Sequence, residues 1–388
     1  MSTTQTILFT AFEPSGDEHA APIIAELLKV RPDLKIHAMG GPKMQAAGAT
    51  LIEHTVGDAA MLGSAIRKIQ SHRKLLGRLE TWIKANQVHV HVPTDSPAAN
   101  WAICKMVKRI WGDKGARVVH MVAPQVWAWA SWRVRRLQKW SDRVLCLLPF
   151  EPDWFRKHEV DARFIGHPVF DEPLDLDELA RLSALMPTGD IKLALLPGSR
   201  PGEIAKNGPI ITEVFRRLSK IRPEVVGVVA SLNAESADRY RSVAGELPET
   251  LTVVDSQTEA VLHWADVVLT VSGTATLHVA RHHKPMAIVY AVSPISWNLV
   301  GRWLMNTRTF TLPNLIALNG PSTRSDAHIV REFIPFHGDV QPIVDEMTQL
   351  IDEPEKRNRQ IDALRRITAP FLDLNAGEQA AHAILEFL

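Results

Sequence analysis

The chain has 388 residues, 46% of them hydrophobic, and a formal net charge of +1. That length and apolar content can fill two cores of ordinary size, and the balanced charge argues against a nucleic-acid partner held by bulk electrostatics. Two cysteines, Cys104 and Cys146, fit a reducing compartment; no stretch approaches about eighteen uninterrupted apolar residues, and MSTTQTILFTAFEPSGD lacks the pattern of a signal peptide.

Residues 5–11 read as a strand, followed by the turn Glu13-Pro14-Ser15-Gly16-Asp17. A helix then carries Ala20, Ile23, Ile24, Leu27 and Leu28 at three- and four-residue spacing. Residues 34–39 form the next strand and end in Gly40-Gly41-Pro42. This is a βαβ unit without G-x-G-x-x-G, so an ordinary dinucleotide site is unsupported. Residues 61–83 are amphipathic: Met61, Leu62, Ile66, Ile69, Leu75, Leu76, Leu79, Trp82 and Ile83 alternate with Arg67, Lys68, Arg73, Lys74 and Arg78. A surface resting on anionic headgroups and a core-facing helix with a solvated basic face both fit that pattern.

Residues 88–92 alternate as a strand, with His89 and His91 on one face. Buried structural histidines fit them better than metal ligands, because no Cys, Asp or Glu nearby completes a set. Asp95 follows at the strand's C-terminal end, where a carboxylate can act as general base or simply form an Asx turn. Another strand spans 118–122 and leads into Trp127, Trp129, Trp132, Arg133, Arg135, Arg136 and Trp140. Interleaved Trp and Arg suit a membrane interface, with stacking on nucleic acid as the rival use.

Residues 171–190 are acidic and Pro-bounded and read as a linker. In such a segment the Asp175-x-Asp177 pair is better taken as solvated charge than as a metal-holding motif. The strand at 192–196 ends in Pro197-Gly198-Ser199-Arg200, and a helix with Ile210, Ile211, Val214, Phe215, Leu218 and Ile221 follows. Strands at 225–230, 251–254 and 286–292 extend this second sheet. The strand at 267–271 stops at Ser272-Gly273, and a helical pattern starts at Thr274-Ala275. The small side chains there let a phosphate approach backbone N–H groups, though an ordinary capped helix start has the same look. Arg200, on a second turn of the same half, can grip phosphate oxygens in bidentate fashion. Two such turns on one sheet edge point to a diphosphate site more strongly than either does alone. G-x-x-x-x-G-K-[ST] is absent.

These segments resemble the lipid-A-disaccharide synthase family. The resemblance rests on Glu13-Pro14-Ser15-Gly16-Asp17, the run from Gly40 to Gly48, Val126-Trp127-Ala128-Trp129, Leu147-Leu148-Pro149-Phe150-Glu151, Phe164-Ile165-Gly166-His167-Pro168, Leu195-Leu196-Pro197-Gly198-Ser199-Arg200, Ser272-Gly273-Thr274-Ala275-Thr276-Leu277 and Leu312-Pro313-Asn314-Leu315. It implies an α/β GT-B fold, with two Rossmann-like doubly wound domains facing a central cleft. The expected division is 1–170 for acceptor binding and membrane docking, 191–365 for the UDP-sugar, and a C-terminal helix in 366–388. That helix is expected to cross back, or to be exchanged in a homodimer.

The resemblance further implies inverting transfer of 2,3-diacylglucosamine from UDP to 2,3-diacylglucosamine 1-phosphate through a β-1,6 link. Asp95 falls on the family's general base and Arg200 on its essential arginine. Glu13, Ser15, Gly16, Asp17, Ser199, Ser272, Gly273, Thr274, Ala275, His278 and Asn314 are the further substrate-binding candidates. Neither a cofactor nor a metal is expected. The protein is expected in the cytoplasm, peripheral on the inner membrane, with its two sugar substrates and the membrane surface as partners and no nucleic acid. Three departures stand out: Ala98 replaces a second acidic residue, His278 replaces a glutamate, and residues 317–327 lack the family's Gly-Arg-Glu. They keep open a different UDP-sugar donor or acceptor, or a non-catalytic UDP-sugar-binding paralogue; an epimerase would need a second acid/base set that the sequence does not offer.

Overall fold

A computed structural model describes residues 5–56, 65–292 and 307–388, with the side chains of 65–71 left aside. The chain forms two compact units, Met1–Asp171 with Asp373–Leu388, and Glu172–Leu372.

The first unit is built on β1 (Thr6–Thr10), β2 (Lys35–Gly40), β3 (Thr50–His54), β4 (Val90–Pro93), β5 (Arg117–Met121), β6 (Arg143–Cys146) and β7 (Ala162–Phe164). They lie in the order β3-β2-β1-β4-β5-β6-β7, every neighbouring pair parallel. Both faces are covered, which is why the central strands are unbroken apolar runs. Ile7 and Phe9 pack with Ile23, Ile24 and Leu27 of helix Pro14–Val30 on one side. Leu8 packs with Leu79, Ile83, Ile103 and Val107 on the other. Helix Ala376–Leu385 adds Ala380, Ala381 and Ile384 to the Ile7 side, and Glu386 takes Arg143 and Arg163 as ion-pair partners, each at 2.5 Å.

The second unit holds β8 (Ile191–Leu196), β9 (Val225–Ser231), β10 (Leu251–Asp255), β11 (Val267–Val271), β12 (Met286–Ala291) and β13 (Arg331–Phe336). They form a parallel sheet ordered β10-β9-β8-β11-β12-β13. In each sheet the strand order reverses once, between β1 and β4 and between β8 and β11. At such a switch point the loops after the two strands diverge and leave a crevice at the C-terminal edge, where open α/β sheets bind ligands.

The sequence reading omits β3, β7 and β13. All three are edge strands of three to six residues, half covered, and they lack the apolar runs of the centre. The expected linker at 171–190 needs correction. It contains helix Leu176–Ser183, capped by Asp175 Oδ1 accepting from Glu178 N at 3.0 Å, and Leu179 and Met186 enter a core of the second unit. Periodic leucines outweigh the acidic composition there. Asp175 is thus a helix cap and Asp177 a solvated charge in the first turn.

Candidate active site

In the first unit, Asp95 sits just past β4, beside the loop that follows β1. It is left-handed, with φ 54°, and Ser96 follows at φ 39°. Two consecutive non-glycine residues in that region cost on the order of 1–3 kcal/mol each, so the surroundings must hold them. Asp95 N donates to Met121 O at 3.3 Å, and Asn100 Nδ2 donates to Asp95 O at 2.9 Å. Asn100 is fixed in turn by Thr10 Oγ1, which donates to Asn100 Oδ1 at 2.7 Å. Having spent its proton, the Thr10 hydroxyl must accept from His91 Nε2, 2.9 Å away. Burial, with a smaller effect of nearby His120, pushes His91 down to about 3, so the ring is neutral in this chain of bonds.

The Asp95 carboxylate accepts from Ser15 Oγ at 2.6 Å through Oδ2 and from Ser96 N at 2.7 Å through Oδ1. Gly16 makes that approach possible. A Cβ there would lie 2.9 Å from Ala11 Cβ and 3.1 Å from Thr94 O. Gly16 is therefore a packing glycine that lets the helix start abut the end of β4.

Asp17, expected to bind substrate, is instead buried and fully occupied. Its Oδ1 accepts from Gly41 N and Met44 N and its Oδ2 from Lys43 N, each at 3.0 Å. It caps helix Pro42–Ala46, and Gly41 is required because a Cβ would meet Asp17 Oδ2 at 2.5 Å. Glu13 is exposed at the entrance of helix Pro14–Val30 and its side chain caps nothing.

The Trp/Arg stretch divides in two. Trp127 is buried against Phe150, its ring centroid 5.1 Å away, and its Nε1 donates to Glu151 Oε1 at 3.0 Å. Trp140 packs against a small core around Val126 and Phe155. Trp129 and Trp132 remain exposed, at 43% and 61%, with the Arg133 guanidinium 3.8 Å over the Trp129 ring and that of Arg136 5.8 Å over Trp132. Helix Ala65–Ala85 turns Leu79 and Ile83 into the core and leaves Arg73, Lys74 and Arg78 outward, so over its described side chains it is core-facing with a solvated basic face. Residues 61–64, with Met61 and Leu62, lie outside the described residues, as do the side chains of Ile66, Arg67, Lys68 and Ile69. His89 Nδ1 accepts from Thr6 N at 3.0 Å, joining the ends of two strands.

In the second unit, the two turns named from sequence leave adjacent strands. Leu196 of β8 pairs with Thr270 of β11, which brings Pro197–Arg200 and Ser272–Thr274 side by side at the switch point. Gly198 has φ +104°, and a Cβ there would come within 2.9 Å of Glu203. This folds the turn so that Arg200 begins helix Pro201–Ile221. The Arg200 side chain is 81% exposed, and among the described residues its guanidinium has a single ion-pair contact, 3.4 Å to Glu203. Ser199 is exposed beside it.

Ser272 Oγ donates to Phe310 O at 3.2 Å and is used in holding its turn. Gly273 and Thr274 are exposed; Gly273 has φ +136°, and no described residue comes within 4 Å of where a side chain would stand. Ala275 opens helix Ala275–Arg281.

His278 lies one turn further on, bonded through Nδ1 to Glu259. Asn314 is corrected to a structural role. It is buried, its Nδ2 donates to Val330 O at 2.8 Å and Glu332 Oε1 at 2.7 Å, and its Oδ1 accepts from Ile329 N and Val330 N. Its amide pins helix Leu312–Ala317 to the start of β13 and has no group left for a substrate.

A family model described as lipid-A-disaccharide synthetase matches residues 7–384. The chain belongs to the lipid-A-disaccharide synthase family. Members from Anaeromyxobacter dehalogenans and Azotobacter vinelandii are each 31% identical, with 98% of this chain and 97% of the relative covered. The chain is accordingly a glycosyltransferase of lipid A disaccharide synthesis, using a sugar-nucleotide donor and a sugar-phosphate acceptor. Among solved structures it is similar to the calicheamicin glycosyltransferase, at TM-score 0.58 and 15% identity over 100% of this chain and 99% of that one. It is also similar to a UDP-GlcNAc 2-epimerase from Neisseria meningitidis bound to UDP-GlcNAc, at TM-score 0.57 and 11% identity over 99% of both chains. These likenesses carry the fold, which is GT-B as the sequence resemblance implied.

Within this family member, sequence reasoning passed over Asn100 and Glu259, read His91 as a structural histidine and gave Glu151 no role of its own. Each acts through a partner distant in sequence, so spacing along the chain carries no sign of them.

Proposed function

We propose that the second unit holds the UDP-linked acylated glucosamine and that the first unit holds the acylated glucosamine 1-phosphate, with Asp95 as general base. Deprotonating the acceptor hydroxyl needs a carboxylate held in one orientation, and a departing UDP needs positive potential at its diphosphate. The observation that carries this reading is that each sheet delivers the matching chemistry to its own switch point. A doubly hydrogen-bonded carboxylate stands at the β1/β4 edge, and an exposed guanidinium beside a glycine turn stands at the β8/β11 edge.

Asp95 would take the proton of the attacking hydroxyl, oriented by Ser15. Arg200 would grip the diphosphate while the amides at Gly273 and Thr274 approach its oxygens, and attack with inversion would release UDP. The test is purified protein with UDP-2,3-diacylglucosamine and 2,3-diacylglucosamine 1-phosphate, run beside Asp95→Ala. Disaccharide from the parent and none from the variant supports the reading. An acyl-free UDP-sugar turned over faster than the acylated donor would overturn the choice of donor, and UDP binding without any turnover would overturn the enzyme reading.

We further propose that Trp129, Trp132, Arg133 and Arg136 rest on the cytoplasmic face of the inner membrane and give access to the acylated substrates. Exposed tryptophans under guanidinium groups suit a headgroup layer. Among the described residues no helix is long and apolar enough to cross a membrane.

A further inference from the structure

Glu259 of helix Thr258–Trp264 reaches two histidines of the neighbouring helix, which lie four residues apart and so on one face. Its Oε1 is bonded to His278 Nδ1 and its Oε2 to His282 Nε2, the latter at 2.6 Å. Burial works to raise the carboxyl, but the hydrogen bonds and charge of the two rings outweigh it and hold Glu259 down at about 2. An ionised carboxylate only accepts, so both rings must turn an N–H toward it. For His282, 3% exposed, that contact fixes a buried ring. For His278, 33% exposed, it decides what the outer nitrogen can do. With Nδ1 carrying the proton, Nε2 of the neutral ring is a lone-pair acceptor, and it has no protein partner among the described residues.

His278 lies four residues after Thr274 and therefore on the same face as the exposed turn, about 5–6 Å away along the helix. In a nucleoside diphosphate, the groups that lie one helical turn from the phosphates and carry O–H donors are the ribose hydroxyls.

We propose that Glu259 is a positioning residue of the donor site: it holds His278 as the Nδ1–H tautomer, so that Nε2 accepts a hydrogen bond from a ribose hydroxyl of the bound nucleotide. The proposal rests on the reading of this sheet edge as the UDP site. It explains why a histidine can stand at 278 and still present an acceptor: the Glu259 carboxylate of the neighbouring helix bonds its Nδ1 and sets its tautomer.

The test compares binding of UDP, 2′-deoxy-UDP and 3′-deoxy-UDP by calorimetry at pH 8.5, for the parent, Glu259→Ala, His278→Ala and the double variant. The parent should favour UDP over one deoxynucleotide by about five- to tenfold, the size of one neutral hydrogen bond. Each single variant should bring that ratio within about twofold, and the double variant should go no further. In turnover, the donor KM of Glu259→Ala should rise by the same factor, with kcat within about twofold of the parent.

UDP binding with a deoxy ratio that Glu259→Ala leaves unchanged overturns the proposal and spares the donor site. Failure of the parent to bind UDP overturns both. Should Glu259→Ala not fold, two-bond 1H–15N spectra of the parent decide the matter. A His278 ring protonated at Nδ1 supports the proposal, and one protonated at Nε2 overturns it. Glu259→Gln, whose amide can accept at only one of its two ends, should then force one of the two rings to switch tautomer.

Discussion

Ser15 Oγ donates to Asp95 Oδ2 at 2.6 Å, joining residues eighty positions apart at the point where the first sheet reverses its strand order. The contact depends on Gly16, since any side chain there would push against Ala11 and Thr94. Asp95→Asn should therefore lower kcat by about 10²–10⁴-fold, the range of a lost general base, with the melting temperature nearly unchanged. Ser15→Ala should cost less, about tenfold, because the carboxylate stays but turns more freely. Gly16→Ala should lower both activity and stability, the latter by about 1–3 kcal/mol of overpacking. Steady-state kinetics beside thermal unfolding separates the three, and an Asp95→Asn enzyme of near-parent rate would remove Asp95 from the chemistry.

Among the described residues the Arg200 guanidinium pairs with Glu203 alone, at 3.4 Å. An exposed pair of that kind contributes within about 1 kcal/mol, so Arg200→Ala should leave stability unchanged. UDP affinity should fall by about 10–100-fold, the loss of a charge-assisted bidentate contact. Arg200→Lys should recover only part of it, since an ammonium cannot present a planar fork. Calorimetric titration with UDP checks both.

Glu151 joins two loops by accepting from Trp127 Nε1 at 3.0 Å and Leu148 N at 3.0 Å. Burial nevertheless pushes it up to about 7, against the lowering effect of those donors. Between the ordinary carboxylate pKa and pH 7 the folded protein thus keeps a proton that the unfolded chain has released. The stability this confers is complete at low pH and is lost as pH rises through about 7, a change of roughly 3 kcal/mol. Buried His91 and His120, held near 3 and 4 mainly by desolvation, act in the opposite sense: their contribution is lost as pH falls below the ordinary histidine value. Glu151→Gln should therefore flatten the loss of stability between about pH 4.5 and 7 while leaving the opposite contribution of His91 and His120 in place. Denaturant melts at several pH values read both.

Trp129 and Trp132 stay exposed under Arg133 and Arg136, whereas Trp127 is buried and Trp140 is partly buried against a small core. Charge reversal at Arg133 and Arg136 should reduce co-sedimentation with anionic vesicles at least about fivefold, with no change on neutral vesicles. Co-sedimentation equal to the parent's would count against a headgroup surface here.

Asn314 offers both ends of its amide to the backbone of 329–330 and to Glu332. Asn314→Ala should cost on the order of 2–4 kcal/mol, since several buried groups lose their partner at once. Donor KM should change little in any variant that remains folded. A variant as stable as the parent but with a raised donor KM would restore Asn314 to the substrate.

The sequence by itself determined the two parallel α/β sheets, most of their central strands and the family, because buried parallel strands must be unbroken apolar runs and the turns between them carry their own residue patterns. It also marked Asp95, Arg200 and the Ser272–Thr274 turn, each at the end of a legible strand. Only the tertiary structure decided which residues of a matched motif hold the frame. Asp17 and Asn314 lie in motifs as specific as those of Ser15 and Arg200, yet they spend their polar atoms on backbone groups and, for Asn314, also on the Glu332 carboxylate, all brought near by folding. Hydrogen-bond partners dozens of residues away leave no periodic trace in a chain, and edge strands such as β3 and β13, paired along one edge and only partly buried, leave little more.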